Sequence, residues 1–316
     1  MDKLTKGFFF SFVAPGWYYI ALKVERSIRL PLSKALAVCD AKAKLQASTK
    51  SVISQVKFKS MKKQNCYKCG AIATSKEHVP PKCIFPEQKD IRGIDLRKNL
   101  ITVPSCNIHN QEKSHDDEFL MVSLAGVIGN NSIGYMHKFT KVDRAIRRTS
   151  QKLINKAFLK QKRYIYKKNN EFLEIIWGTP DYKRLLNSFE MIAYGVHLDY
   201  FLKPFKGKTK VMLGYLFHGD ESSKNLVEFL KHKAKIDLKN KEKLGENKNV
   251  FFYQFSDIDE FGIYMLRLCF YGGINIYVSF IPDGIELPKH LGYELMKKGI
   301  HTIFTVEGKE YEVNKS

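Results

Sequence analysis

Read for the spacing of its apolar positions, the chain has a regularly patterned C-terminal half and an N-terminal half broken by turns. Leu185, Phe189, Ile192, Val196 and Tyr200 recur at three- and four-residue intervals, the period of a helix that buries one face. Short runs rich in β-branched and aromatic residues follow at 211–217, 250–255, 263–271 and 274–280, a composition that fits strands. Gly272-Gly273 between the last two predicts a tight hairpin, and 302–306 turning through Gly308 into 310–313 predicts another. The lysine-dominated stretch 231–248 reads as a helix end and loop. Residues 183–316 thus read as an α+β domain with antiparallel strands and no recognisable catalytic motif.

Upstream, the apolar run 119–128 predicts a helix, and 142–162 predicts a basic one. In the latter Ile146, Leu153 and Ala157 mark one face, while Arg144, Arg147, Arg148, Lys152, Lys156 and Lys160 cover much of the rest. Such a helix either lies along a phosphate backbone or is a solvated amphipathic face. It belongs to a connector, 129–182. Before it, 61–128 opens with turn-rich text (Pro80, Pro81, Pro86, Gly93). Residues 1–60 form a basic extension with helical character over about 32–57. Its apolar run 7–22, flanked by Lys6 and Lys23 and interrupted by Pro15-Gly16, is short for a membrane span and is followed by no clean cleavage site. Three readings of that run remain: a membrane-surface anchor, a short helical partner-binding arm, or sequence upstream of the true start, for which Met61 would serve.

Composition adds a partner class. The 316 residues carry 53 Lys+Arg against 32 Asp+Glu, a net charge of +21. A field of that sign draws polyanions, nucleic acid before an anionic membrane, and speaks against a small neutral substrate. The hydrophobic fraction of 44% is that of a soluble globular protein. Of the six cysteines, Cys66 and Cys69 stand at a spacing that suits a metal chelate better than a disulfide, which implies a reducing, cytoplasmic setting.

The chemistry concentrates in 61–128. Cys66-x2-Cys69, followed by Gly70, and Cys106-x2-His109 are two chelating pairs of the kind that closes a tetrahedral Zn²⁺ site. Between them stands Glu77-His78, then Asn99; Asn110 follows the second pair. Glu77 and Asn110 offer hard oxygen donors suited to Mg²⁺ or Mn²⁺, and His78 is a candidate general base. Each has a plainer alternative: a lone histidine is more often structural, and an asparagine before a strand is usually a turn residue. Asp116, Asp117 and Glu118 read as first-turn residues of the 119–128 helix, where carboxylates favour the positive end, with tuning of the metal or positioning of a water as the alternative. Lys82, Lys113, Arg92 and Arg97 are candidate phosphate contacts, and Cys83 and Cys269 read as small packing residues.

In order and spacing, CYKCG, EHVPPK and NLITVPSCNIHN together resemble the HNH endonuclease superfamily, the ββα-metal fold, in its zinc-stapled form. The resemblance covers about 61–120. It implies an acidic-His pair on the first strand of a hairpin, an asparagine from the second strand, and a metal ligand from the following helix. Carried over, His78 would activate water, Glu77 and Asn110 would hold a catalytic Mg²⁺ or Mn²⁺, and Asn99 would orient His78. Cys66, Cys69, Cys106 and His109 would bind structural zinc, with Lys82 and Lys113 near the nucleic acid. Two positions depart from the family pattern: Glu77 stands where Asp is commoner, moving the metal by about one methylene, and His109 replaces the more usual cysteine. The expected protein is a small ββα-metal module with a zinc knuckle ahead of an α+β domain. It would hydrolyse DNA (RNA as the alternative), as a homodimer if both strands are cut, in bacterial defence, restriction or a mobile element. Two rivals stand beside it: a non-catalytic zinc-knuckle nucleic-acid-binding protein, and a membrane-associated protein with a vestigial nuclease fold.

Overall fold

The computed structural model describes residues 8–13, 64–150, 152–168, 171–216, 221–285 and 291–315. It is a mixed α/β protein built from small antiparallel sheets. Strand β1 is Phe8–Val13; β2, Ser75–His78, pairs with β3, Thr102–Ser105, with Ser75 opposite Ser105 and His78 opposite Thr102. Helix α1, Asn107–Ala125, starts one residue after β3. It begins twelve residues before the apolar run that predicted it, because its first half is polar and carries no 3.6-residue period. Asp116, Asp117 and Glu118 are therefore mid-helix rather than first-turn residues, and Asp116 pairs at 2.5 Å with Arg184.

The region expected to be one basic helix is in fact three elements. After α2, Ser132–His137, and a π-helical turn, Lys138–Val142, come α3, Asp143–Arg148, and α4, Lys152–Ala157. The break falls at Thr149-Ser150, where Ser150 adopts φ 48°. From Phe158 the chain is a strand: β4, Phe158–Lys168, pairs with β5, Glu171–Pro180. The arginines are also engaged. Arg144 grips Asp90 through two bonds of 2.8 and 2.7 Å, Arg147 meets Asp143 at 2.8 Å, and Arg148 approaches Glu118 at 3.7 Å.

β1 lies antiparallel on the other side of β5, Phe8 opposite Gly178 and Val13 opposite Leu173, giving the order β1-β5-β4. The start of the apolar run is thus a strand and not a helical arm. Its remainder and the helical reading of 32–57 lie outside the described residues.

Helix α5, Tyr182–Phe201, forms as its period predicts, capped where the Asp181 carboxylate accepts the Arg184 N–H at 3.1 Å. It is followed by β6, Gly207–Leu213; α6, Glu221–Asp237; β7, Phe251–Phe255; β8, Tyr264–Phe270; and β9, Ile274–Pro282. These four strands form an antiparallel sheet in the order β6-β9-β8-β7, and the β8–β9 hairpin turns at Gly272-Gly273 as expected. The strand expected over 211–217 starts earlier and stops at Leu213. Helix α7, Leu291–Lys297, and the hairpin of β10, Thr302–Val306, and β11, Lys309–Val313, close the described chain. Among the described residues no helix is long and apolar enough to cross a membrane.

One apolar core runs from Cys66 and Tyr67 through α1 and α5 to the four-stranded sheet, crossing the divisions drawn at 128 and 183. Helix α5 is its spine, meeting β3 and α1 on one side and β6 and β9 on the other. Gly195 of α5 makes the closest approach: a Cβ there would lie 2.7 and 2.8 Å from the two methyls of Val79, the residue after His78. Helix propensity alone would make Gly195→Ala stabilising by about 1 kcal/mol. Overpacking against the buried valine reverses the sign, for a net loss of roughly 1–2 kcal/mol. Urea unfolding should show that loss, and Val79→Ala in the Gly195→Ala background should recover part of it; additive effects would contradict the contact.

Candidate functional site

The sequence CYKCG folds as a knuckle. The Cys66 N–H donates to the Ala71 carbonyl (2.6 Å) and the Gly70 N–H to the Cys66 carbonyl (3.1 Å), a closure that places Gly70 at φ 73°, where a side chain would be strained. The Tyr67 N–H donates to the Pro104 carbonyl at 3.0 Å and ties the knuckle to β3. Cys106 stands between β3 and α1 with His109 one turn further on, and its carbonyl accepts the Asn110 N–H at 3.0 Å.

The ligand atoms of Cys66, Cys69, Cys106 and His109 all lie within 4.8 Å of one another, in the one such cluster found among the described residues. Sγ of Cys66 is 3.5 Å from Nδ1 of His109, Sγ of Cys106 is 3.3 Å from the same nitrogen, and the Cys69 and Cys106 sulfurs are 3.8 Å apart. A tetrahedral ion with metal–sulfur bonds of about 2.3 Å sets its sulfurs about 3.7 Å apart, so these four residues could hold one metal ion. The electrostatics agree. Burial pushes the Cys66 thiol up, but hydrogen bonds from backbone at Cys69, Lys68 and Cys106, and from His109, outweigh it and bring the thiol down to about 6. Its thiolate is the form that binds metal.

Beside the knuckle, β2, the turn after it and α1 enclose a cleft of about 180 Å³. Lys76, Glu77 and His78 contribute from β2, Pro81, Lys82 and Cys83 from the turn, and Asn110 and Asp117 from α1. Asn110 and Asp117 are seven residues apart, which places them on one helix face. Glu77 is buried, 6% exposed. Tyr67, wholly buried between two cysteines of the cluster, lies beside it. Burial first and the Glu77 carboxylate next hold the phenol far above its usual range, so it faces the carboxylate protonated.

The segment 83–85, of which Cys83 lines the cleft, is fixed by distant elements. Tyr271 donates its hydroxyl to the Ile84 carbonyl (2.5 Å), a ring nitrogen of His137 meets the Cys83 carbonyl (3.1 Å), and Arg97 donates twice to the Phe85 carbonyl (3.0 and 2.7 Å). Burial lowers His137 to about 3, so it is neutral at pH 7 and serves as a donor to that carbonyl. Burial likewise pushes the Cys83 thiol up to about 12; it donates to the Asp117 carbonyl at 3.1 Å and is no nucleophile. Comparison with family models, with curated proteins and with solved structures finds no match to this chain. The site therefore stands on its own geometry.

The structure brings Glu77, His78, Asn110 and Lys82 to one cleft and Cys66, Cys69, Cys106 and His109 to one cluster. Asn99 is not on β3. It is exposed, in a turn three residues ahead of that strand at φ 51°, a conformation asparagine tolerates, and it does not line the cleft. Its turn-residue alternative is the one realised. Arg97 is committed to the Phe85 carbonyl rather than to solvent, Arg92 is exposed in a turn at φ 55°, and the side chain of Lys113 lies outside the described residues. One cleft residue, Lys76, escaped the sequence reading, and Asp117 was read chiefly as a first-turn residue. The signals were there: Lys76 is two positions from His78 on a strand, and Asp117 is seven from Asn110 on a helix.

Elemental analysis of the purified protein should find one divalent ion per chain, lost in Cys69→Ala or His109→Ala and kept in Cys83→Ala and Cys269→Ala. Equal metal content in all four would rule out the cluster as its holder. The His137 environment also sets a pH dependence. Unfolded, its imidazole takes up a proton near 6.5; folded, only near 3. Below pH 6.5 the unfolded chain binds more protons, so stability declines as pH falls from 6.5 toward 3 and levels off beneath. Urea midpoints at pH 7, 5 and 4 should fall in that order, and His137→Asn should flatten the trend.

Proposed function

We propose that the protein is a metal-dependent endonuclease of the HNH type, hydrolysing phosphodiester bonds in DNA. The observation that carries the reading is the convergence of Glu77, His78 and Asn110 in one cleft. They come from a strand–strand–helix unit whose first helical turn also carries a ligand of the Cys/His cluster. The net charge of +21 supports a polyanionic substrate.

The cluster, three sulfurs and one imidazole with every corner filled by protein, suits a structural zinc ion. In the cleft, the Glu77 carboxylate and the Asn110 carboxamide oxygen would hold a catalytic Mg²⁺ or Mn²⁺, whose donor preference they match. Such an ion, when bound, stabilises the charge that builds on the phosphate and the leaving oxygen. His78 takes the proton of the attacking water as its oxygen bonds to phosphorus and the bond to the 3′-oxygen breaks, leaving a 5′-phosphate. Lys76 and Lys82, exposed on the cleft wall, offset phosphate charge as the strand enters. Asp117 adds a second carboxylate on the face of Asn110. No positioning role for Asn99 enters this scheme. By association with such modules, the setting would be cytoplasmic, in restriction, defence or a mobile element.

The position of Asn99 outside the cleft favours a second reading, a nucleic-acid-binding protein that keeps the knuckle and the charge but does not cut. Supercoiled plasmid decides between them. With Mg²⁺ or Mn²⁺ the wild type should nick it, His78→Ala should slow nicking by at least about 100-fold, and EDTA should stop it. No nicking by wild type, with DNA still bound, would establish the binding protein instead; nicking undiminished in His78→Ala would remove the assigned base.

A further inference from the structure

Arg97, Arg144 and Arg147 are held by internal carbonyl and carboxylate partners, yet a row of lysines elsewhere faces water. Lys203 and Lys206 precede β6, and Lys208 and Lys210 lie within it. All four are exposed, and none forms an ion pair with a carboxylate of the described residues. Strand β6 ends the four-stranded sheet, so its far edge carries no described neighbour. Thr209 turns inward to donate its hydroxyl to Glu190 of α5 at 2.5 Å. Lys208 and Lys210 therefore project together from the opposite face, about 6.7 Å apart along the strand. That step is comparable to the one between neighbouring phosphates on a nucleic-acid strand.

The row is fixed in place at its start. Gly207 has φ 145°, and a side chain there would collide with the Ile281 carbonyl and the Phe205 ring; its own carbonyl accepts the Tyr194 hydroxyl at 3.3 Å. Thr209, on the inward face of β6, links the strand through α5 to the knuckle. The Glu190 oxygen that accepts from Thr209 is 3.7 Å from the ammonium of Lys68, between Cys66 and Cys69. Leu202, next to Lys203 in the chain, is 74% exposed and adds apolar surface beside the first lysine.

We propose that Lys203, Lys206, Lys208 and Lys210 form a track for the phosphodiester backbone of a nucleic acid. It would hold the substrate beyond the scissile bond, and only in that use does it rest on the nuclease reading. Lysines on an edge strand also deter pairing with another chain. That role explains Lys208 and Lys210 but not the two that precede the strand.

Binding of a fluorescein-labelled oligonucleotide, followed by anisotropy without added divalent ion, separates these accounts from each other and from cleavage. The variant Lys206→Gln/Lys208→Gln/Lys210→Gln should bind at least about tenfold more weakly near 0.1 M salt. Its plot of log affinity against log salt should flatten by about 2 to 3, because each lost phosphate contact removes about 0.7 to 0.9. A control of equal charge loss, Lys239→Gln/Lys248→Gln/Lys298→Gln, should change little, and both variants should keep the wild-type circular dichroism. Equal affinities and slopes for the two triple variants would overturn the track. So would a first variant that binds as wild type but self-associates, the mark of an edge guard. Wild-type binding to phosphatidylserine vesicles and not to the oligonucleotide would overturn it as well. Track-dependent binding with no plasmid nicking would leave the track standing while the nuclease reading fell.

Discussion

Three thiols and one imidazole meeting at a point constrain nearly everything around the cleft. Cys106 and His109 flank the junction of β3 and α1, and Cys66 and Cys69 lie on a knuckle bonded to β3 through the Tyr67 N–H. Joining the two pairs fixes the angle at which α1 leaves the hairpin, and so the position of Asn110 beside Glu77. Two four-residue strands bury little surface, and a hairpin of that size is marginal alone. The first half of α1 has no apolar stripe to seat it. A metal ion bound by all four residues would supply what packing cannot, since its binding free energy becomes folding free energy. Tyr67, buried on the knuckle, lies beside the Glu77 carboxylate.

The second constraint is packing by α5. Val79, directly after His78, sits against Gly195 so closely that no side chain fits there, and Tyr271 at the β8–β9 turn reaches the carbonyl of Ile84, the residue after Cys83 of the cleft. Residues nearly two hundred positions apart thus define one side of the cleft. The segment 83–85 carries three consecutive carbonyls, each met by a buried or ion-paired side chain from elsewhere, which leaves it little freedom to move. The C-terminal half is therefore part of the site's scaffold, whatever else it does.

Much of this was legible where the signal is local. The period of α5, the β8–β9 hairpin at Gly272-Gly273 and the C-terminal hairpin all follow from spacing and turn chemistry. The four ligands of the cluster could be read because each pair is close in sequence. The readings that failed depended on contacts distant in sequence. The polar half of α1 is held by the cluster and by the Asp116–Arg184 pair, neither of which leaves a periodic trace. Strand β4 follows α4 without a turn residue and is defined by pairing with β5. Asn99 has the neighbours that the HNH pattern asks for, but a left-handed backbone ahead of β3 takes it away from the cleft. Asp117 could not be placed beside Asn110 until the helix start was known, because helix phase decides which residues share the face of Asn110.

Charge shows the same division between what composition can say and what only the fold can. A net charge of +21 raises the potential everywhere, but only cations that still face water can exchange counterions for phosphates. Arg97, Arg144, Arg184 and Lys68 are already committed to a carbonyl, to carboxylates or to an aromatic ring. Removing any of them would act first on stability, leaving an acceptor or a partial charge without its partner. The lysines of the β6 row and of the cleft wall have no such duty among the described residues, so their loss should register in binding while the fold is unchanged. Sorting the cations by what they already hold leaves Lys152, Lys156 and Lys160 facing water and adds a surface the sequence did not suggest, the exposed edge strand β6.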